Sequence, residues 1–179
     1  VGRSALETNT TGASNTAIGR SSLISNTTAS NNTAVGYQSL YANTTGSGHV
    51  AVGYNALDAN TTGNNSTAVG ASALTAATTA DQNTAVGSQS LLAVTTGSDN
   101  TAIGMNSGFA ITTGAKNTVV GVSALSHLTT QTRCVAVGYH ALEEATADDN
   151  TAVGTQALQD NTTGYYNVGL GYLAGGAIT

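Results

Sequence analysis

An aliphatic residue followed by glycine returns along this chain at a spacing that leaves little choice of fold. The glycine of the pair stands at Gly2, Gly19, Gly36, Gly53, Gly70, Gly87, Gly104, Gly121, Gly138, Gly154 and Gly171, and every interval but one equals the step from Gly2 to Gly19. The exception lies between Gly138 and Gly154, where "EEATADDN" lacks one residue near the Thr-Thr position. Deletion at a corner with both anchors kept suits a coil whose turns tolerate change. Self-similarity at a fixed period of this size marks a stacked array, and a helical unit would need about ten residues per helix, twice per repeat. A unit this short, punctuated by Gly, Asn and Thr-Thr, holds two short strands instead, "NTAV" and a segment around "SL". The expected class is therefore all-β: a parallel β-solenoid or β-roll of about ten 17-residue coils, stacked about 4.8 Å apart. Residues 1–179 form a single repeat array, with anchors from Gly2 to Gly171, that stops in mid-repeat at both ends.

The columns of the repeat assign roles. Before the glycine stand Ile18, Val35, Val52, Val69, Val86, Ile103, Val120, Val137, Val153 and Leu170; four places after it stand leucines, with Gly108 and Gly175 as exceptions. These two columns are expected to fill the coil. Side chains alternate across a strand, so the alanines two places before the glycine are expected to face outward. A column that stays small and never charged implies close approach by a neighbouring chain. The expected oligomer interface is Ala17, Ala34, Ala51, Ala68, Ala85, Ala102, Ala136 and Ala152. Seven places after the glycine the residues change from Asn9, Asn26, Asn43 and Asn60 to Ala77, Val94, Ile111 and Leu128, then return to Asn161.

Composition agrees with a regular stack. Only 7% of residues are charged, against about 25% in ordinary soluble domains, and Val, Ile and Thr, which favour pleated structure, are plentiful. A net charge of −5 from four basic and nine acidic residues leaves no basic stripe to displace counterions from phosphates, so nucleic acid is not an expected partner. No apolar run is long enough to span a bilayer as a helix. The one cysteine, Cys134, has no internal partner.

The unit "NTAVGYQSLYANTTG" resembles repeats in bacteriophage tail fibres, and its "TAVG" with the following Ser/Ala-Leu pair is similar to the head repeats of trimeric autotransporter adhesins. The resemblance spans the whole chain. It implies a homotrimeric parallel β-roll that projects from a virion or a cell surface and serves attachment. The longer unit and the "NTTG" corner look more like the phage version.

Residues able to carry chemistry are sparse and scattered. His49, His127 and His140 fall in different columns, so no ladder of metal ligands forms, and the aspartates share no calcium-binding spacing. His49 and Cys134 each replace the column asparagine (Asn15, Asn32, Asn83, Asn100, Asn117), and in both coils the next Thr becomes Val; this reads as a repacked corner. No catalytic, cofactor-binding or metal site is expected, and no enzyme activity. "NTT" at Asn9, Asn26, Asn43, Asn60 and Asn161 matches a glycosylation acceptor that a repeated turn generates by itself. Tyr37 and Tyr54 are expected to stack one coil apart, as a shielding pair or as a platform for a sugar face. Adjacent threonines such as Thr44 and Thr45 alternate sides, which argues for turn chemistry over an ice-binding array.

The function these features suggest is a structural rod segment of a homotrimeric phage tail fibre involved in host attachment, about 50 Å long. Its partners are its own copies, with a host glycan or protein met through another part of the fibre. A cell-surface trimeric adhesin or extracellular filament subunit is the alternative, and an ice-binding solenoid a remote one. The expected location is the virion or the outside of a cell.

Overall fold

The computed structural model describes residues 1–175. Ten strands of three residues each stack into one parallel sheet in sequence order: β1 (Thr16–Ile18), β2 (Thr33–Val35), β3 (Val50–Val52), β4 (Thr67–Val69), β5 (Thr84–Val86), β6 (Thr101–Ile103), β7 (Thr118–Val120), β8 (Val135–Val137), β9 (Thr151–Val153) and β10 (Val168–Leu170). Partners lie one repeat apart, as in Ala34↔Ala51, and the short coil is absorbed without loss of register, Ala136 pairing with Ala152. Ten strands bound nine full turns of a parallel β-solenoid. The expected class and repeat length hold, except that each coil carries one regular strand, and the segment around "SL" is a turn. The last residues of the closing repeat, 176–179, lie outside the described part.

Hydrogen bonding between coils continues around the whole circuit, as buried backbone requires. Gln38 donates back to the Arg20 carbonyl at 3.0 Å, and Leu40 donates forward to the Ala56 carbonyl at 3.0 Å. The turn after each strand begins at the anchor glycine. At Gly36, φ is 140°, and an added Cβ would collide with the Gly53 carbonyl oxygen, so neither the conformation nor the coil spacing admits a side chain.

Beyond the glycine, φ is positive at the second and fourth residues and negative between them. At the fourth, nine leucines sit in the left-handed region, Leu23 at 49° and Leu57 at 53° among them. A left-handed non-glycine residue costs about 1–2 kcal/mol. Each of these leucines from Leu23 to Leu158 is buried completely, which returns about 1.5–3 kcal/mol, so the strain is more than offset. Between the two positive-φ positions the Ser/Ala column is also buried, from Ser22 to Ala157. Where it is serine, the hydroxyl bonds its own corner: Ser22 to the Gly19 carbonyl, Ser39 to Gly36, Ser90 to Gly87 and Ser107 to Gly104.

The leucine column fills the coil as expected; the strand does not follow. Ala34, Ala51, Ala68, Ala85, Ala102, Ala136 and Ala152 are 0% exposed in the single chain, and Ala17 is nearly so. The alanines therefore line the interior, and the aliphatic residues before the glycine point out, Ile18 at 47% and Ile103 at 43% exposure. Both sequence assignments for this strand are thus reversed. The physical reason is parity: alternation cannot be counted from the leucine back to the strand through a glycine and a left-handed residue. Room is the other reason. At Gly169, in the alanine column, an added Cβ would come 2.7 Å from Leu158 Cγ, so the leucine of the preceding turn crowds this position and must shift to admit even a methyl group. Val119 is the one larger residue in that column, and it follows Gly108 by the separation that places Gly169 after Leu158. At Gly108 itself, the space a side chain would enter is held by Leu91 Cδ2 and Ile111 Cδ1.

Candidate functional site

Four features stand out on the solenoid: two interior polar ladders, an uncharged band on the sheet, and a groove on the segment after the glycine corner.

The first ladder runs through the column seven places past the glycine. Asn26 Nδ2 donates to Asn9 Oδ1 at 2.7 Å, Asn43 to Asn26 at 3.2 Å and Asn60 to Asn43 at 2.9 Å. Each amide also closes its own corner, as Asn43 does on the Gly46 carbonyl at 2.9 Å. The ladder ends where Ala77 replaces Asn, leaving Asn60 Oδ1 buried without a partner. From Ala77 to Ala145 the column is aliphatic and equally buried. The Asn-Thr-Thr asparagines Asn26, Asn43, Asn60 and Asn161 are buried with their amides engaged, so the folded coil withholds them from glycosylation.

The second ladder contains the two unusual residues. A column asparagine accepts from the backbone N–H one coil on and donates to a carbonyl of the next corner, as Asn100 does with Asn117 N–H at 3.0 Å and Gly114 at 2.9 Å. His49 reproduces both contacts: Nδ1 accepts from Ser66 N–H at 3.2 Å, and Nε2 lies 2.6 Å from the Gly63 carbonyl. Accepting at Nδ1 assigns the proton to Nε2 and makes the ring neutral. Burial, the largest influence, lowers its pKa, with the backbone contacts acting the other way. At Cys134 the thiol reaches the Ala147 carbonyl at 3.6 Å, and burial pushes its pKa up. Both are corner-packing residues, neither exposed for reaction. The threonines behave likewise: Thr44 Oγ1 donates to the Thr61 carbonyl and Thr61 to Thr78, each at 3.0 Å.

The outward face of the sheet carries the residue before the glycine and, two places earlier, Thr or Val: Thr33 with Val35, Val50 with Val52, Thr67 with Val69, Thr84 with Val86. All ten strands repeat this pair, and no charged residue interrupts it.

Past the glycine corner, Tyr37 and Tyr54 stack as expected, with centroids 5.5 Å apart and planes within 9°, and the Arg20 guanidinium lies 5.8 Å from the Tyr37 ring centre. Farther along, Asn106, Phe109, Ser123, Ser126, His127 and Glu143 line a groove of about 320 Å³. Polar contacts crowd this end. His127 Nδ1 lies 2.7 Å from Glu144 Oε1, His140 Nδ1 contacts Glu143 Oε2, and the Arg133 guanidinium grips both carboxylate oxygens of Asp149. The guanidinium holds the partly buried Asp149 carboxyl below its usual range. Among the described residues no three His, Cys, Asp or Glu side chains converge as metal ligands, and no helix is long and apolar enough to cross a membrane.

The groove residues escaped column-by-column reading because each is unremarkable alone. Their signal is that departures from the repeat, Phe109, His127 and Glu143 among them, fall at neighbouring positions of successive coils. No protein family, curated protein or solved structure matches the chain.

Proposed function

We propose that this chain is a rod segment of a homotrimeric fibre, and that the fibre is a phage tail fibre serving attachment to a host. The observation that carries this reading is the uncharged band of Thr, Val, Ile and Leu on the outer face of all ten strands. An extended apolar patch on a protein surface marks an interaction site. This one runs along the stacking direction, so identical chains set side by side would cover it over its full length. The interface therefore moves from the alanines to their neighbours: Ile18, Val35, Val52, Val69, Val86, Ile103, Val120, Val137 and Val153. The three-fold number and the phage assignment rest on the likeness of the repeat. A cellular adhesin would use the same band, and flanking sequence separates the two origins.

The band also favours a second reading. Thr and branched aliphatic residues separated by one inward alanine form a flat, regular two-column array, the spacing that adjacent Thr44 and Thr45 lack. Such a face could order water as an ice-binding surface does.

Sedimentation of the purified chain, alone and with Val69→Glu and Val86→Glu together, tests the fibre reading. A trimer that the double substitution converts to monomer with unchanged β circular dichroism is expected. A parent chain that sediments as a monomer overturns it, and thermal hysteresis of that monomer would move the assignment to ice binding.

A further inference from the structure

We propose that the groove between Asn106 and Glu143 binds a neutral oligosaccharide, giving the rod a ligand site along its side. The placement of the lining is the first ground. Asn106 and Ser123 stand two places after their glycines, Phe109, Ser126 and Glu143 stand five places after, and His127 follows Ser126. The groove thus runs along the stack over three coils, with one set of side chains about every 4.8 Å, a rise on the scale of one pyranose ring. Its 320 Å³ falls at the lower end of the range of about 300–1,000 Å³ for small-molecule sites.

The second ground is an unmet hydrogen bond. Asn106 Oδ1 is shielded from solvent and has no partner in the chain. Buried polar atoms are nearly always paired, and Asn106 lines the groove, so a turn of its amide toward the groove presents this unpaired acceptor to an incoming donor, which a sugar hydroxyl supplies. Asn55 Oδ1 and Asp58 Oδ1 are unpaired in the same two columns, and the groove itself lies at the later coils. There Glu143 accepts from Gln159 Nε2 at 2.7 Å, which leaves further lone pairs for hydroxyl donors, and Ser123 and Ser126 can donate or accept.

The third ground is the mixture of surfaces. Phe109, the only phenylalanine in the chain, is half-buried in the lining and offers an apolar ring to the C–H face of a sugar. Charge selects among sugars: Glu143 lines the groove and Glu144 pairs with His127 beside it, while no Lys or Arg lines it. A carboxylated or phosphorylated ligand would meet repulsion without a counter-charge. An extended peptide would leave its backbone donors facing a lining with few fixed acceptors and no exposed strand edge.

The test is saturation-transfer NMR and calorimetry on the intact chain with maltotriose, cellotriose and lacto-N-tetraose as neutral probes and 3′-sialyllactose as the charged one. At least one neutral probe is expected to bind in the millimolar range or tighter, and at least tenfold more tightly than sialyllactose. Phe109→Ala should weaken it more than tenfold, Phe109→Tyr less than threefold, and Tyr41→Ala, in the same column four coils away, not at all. Circular dichroism of each variant shows whether the coil is intact. No binding of any neutral probe overturns the proposal. So does equal binding of sialyllactose, or full affinity in a folded Phe109→Ala chain.

Discussion

His49 Nε2 meets the Gly63 carbonyl at 2.6 Å, and through that contact an imidazole does the work of an asparagine amide inside the coil. The substitution succeeds because both ring nitrogens are used in the neutral tautomer, one donating and one accepting.

A pH dependence follows. The folded pKa of His49 lies below its ordinary value of 6.5, so the unfolded chain binds the proton more readily. The stability owed to the neutral ring is complete above pH 6.5 and is lost as pH falls from there through the folded pKa. Asp58, whose pKa is raised chiefly by burial, acts in the opposite sense: its contribution is present below its unfolded value of 3.8 and is lost as pH rises through its folded pKa. His49→Asn restores the common column residue and isolates the first effect. Thermal unfolding followed by circular dichroism should show a smaller fall in Tm below pH 6.5 in the variant than in the parent. Equal falls would remove His49 as the source.

Asn43 sits mid-ladder, with Asn26, Asn60 and the Gly46 carbonyl all bonded to its amide. Asn43→Ala strands the Asn26 oxygen in the interior, at about 1–3 kcal/mol for a group left unpaired, while the Gly46 carbonyl keeps its bond from Asn32 Nδ2 at 2.9 Å. Urea unfolding should register a loss in that range or above. A loss under about 0.5 kcal/mol, on the scale of an ordinary surface change, would mean that water reaches the column.

The two sides of one strand predict opposite failures. Ala68→Glu forces a carboxylate into the filled coil and should abolish folding, seen as loss of β circular dichroism. Val69→Glu places the same charge outside and should leave the coil folded while weakening association. If both variants gave folded monomers, Ala68 could not be the interior residue that its burial indicates.

Gly36→Ala asks for a left-handed extended conformation and for space held by the Gly53 carbonyl. Backbone on both sides cannot move aside, so a loss of at least about 3 kcal/mol, or insoluble chain, is expected. Full-strength unfolding midpoints in denaturant would refute this.

Gly108 lacks the column leucine, and Val119, which follows it by eleven places, is larger than the column alanine. Gly108→Leu alone brings Cβ within 2.8 Å of Leu91 Cδ2 and 3.0 Å of Ile111 Cδ1, and overpacking of this kind costs about 1–3 kcal/mol. The left-handed φ of 61° is no obstacle, since leucine holds it elsewhere in the column. Adding Val119→Ala should recover part of the loss, with a coupling energy above about 0.5 kcal/mol in a double-mutant cycle. Simple additivity would show that the two sites do not share the space.

The stack was legible because one backbone event, a strongly positive φ with no room for a side chain, must recur in every coil and only glycine can make it. The leucine and Ser/Ala columns were legible for a related reason: each holds the same interior point in successive coils. The facing of Ala34 and Val35 was not legible. Both are apolar, and the two-residue rhythm that would separate them is broken between Gly36 and Leu40. The groove lay deeper still, since it belongs to no single coil and exists only where three irregular coils are laid side by side.

The regularity of the inter-coil hydrogen bonds has a consequence for how the chain reaches this state. A coil displaced by a whole unit would find nearly the same ladder partners, so a uniform array could close in several wrong arrangements of similar energy. The irregular positions act against that. His49 needs the Gly63 corner, Gly108 leaves its space to Leu91 and Ile111, and the shortened coil fits one place only. They serve as addresses on an otherwise repeated street, telling each turn which neighbour is its own.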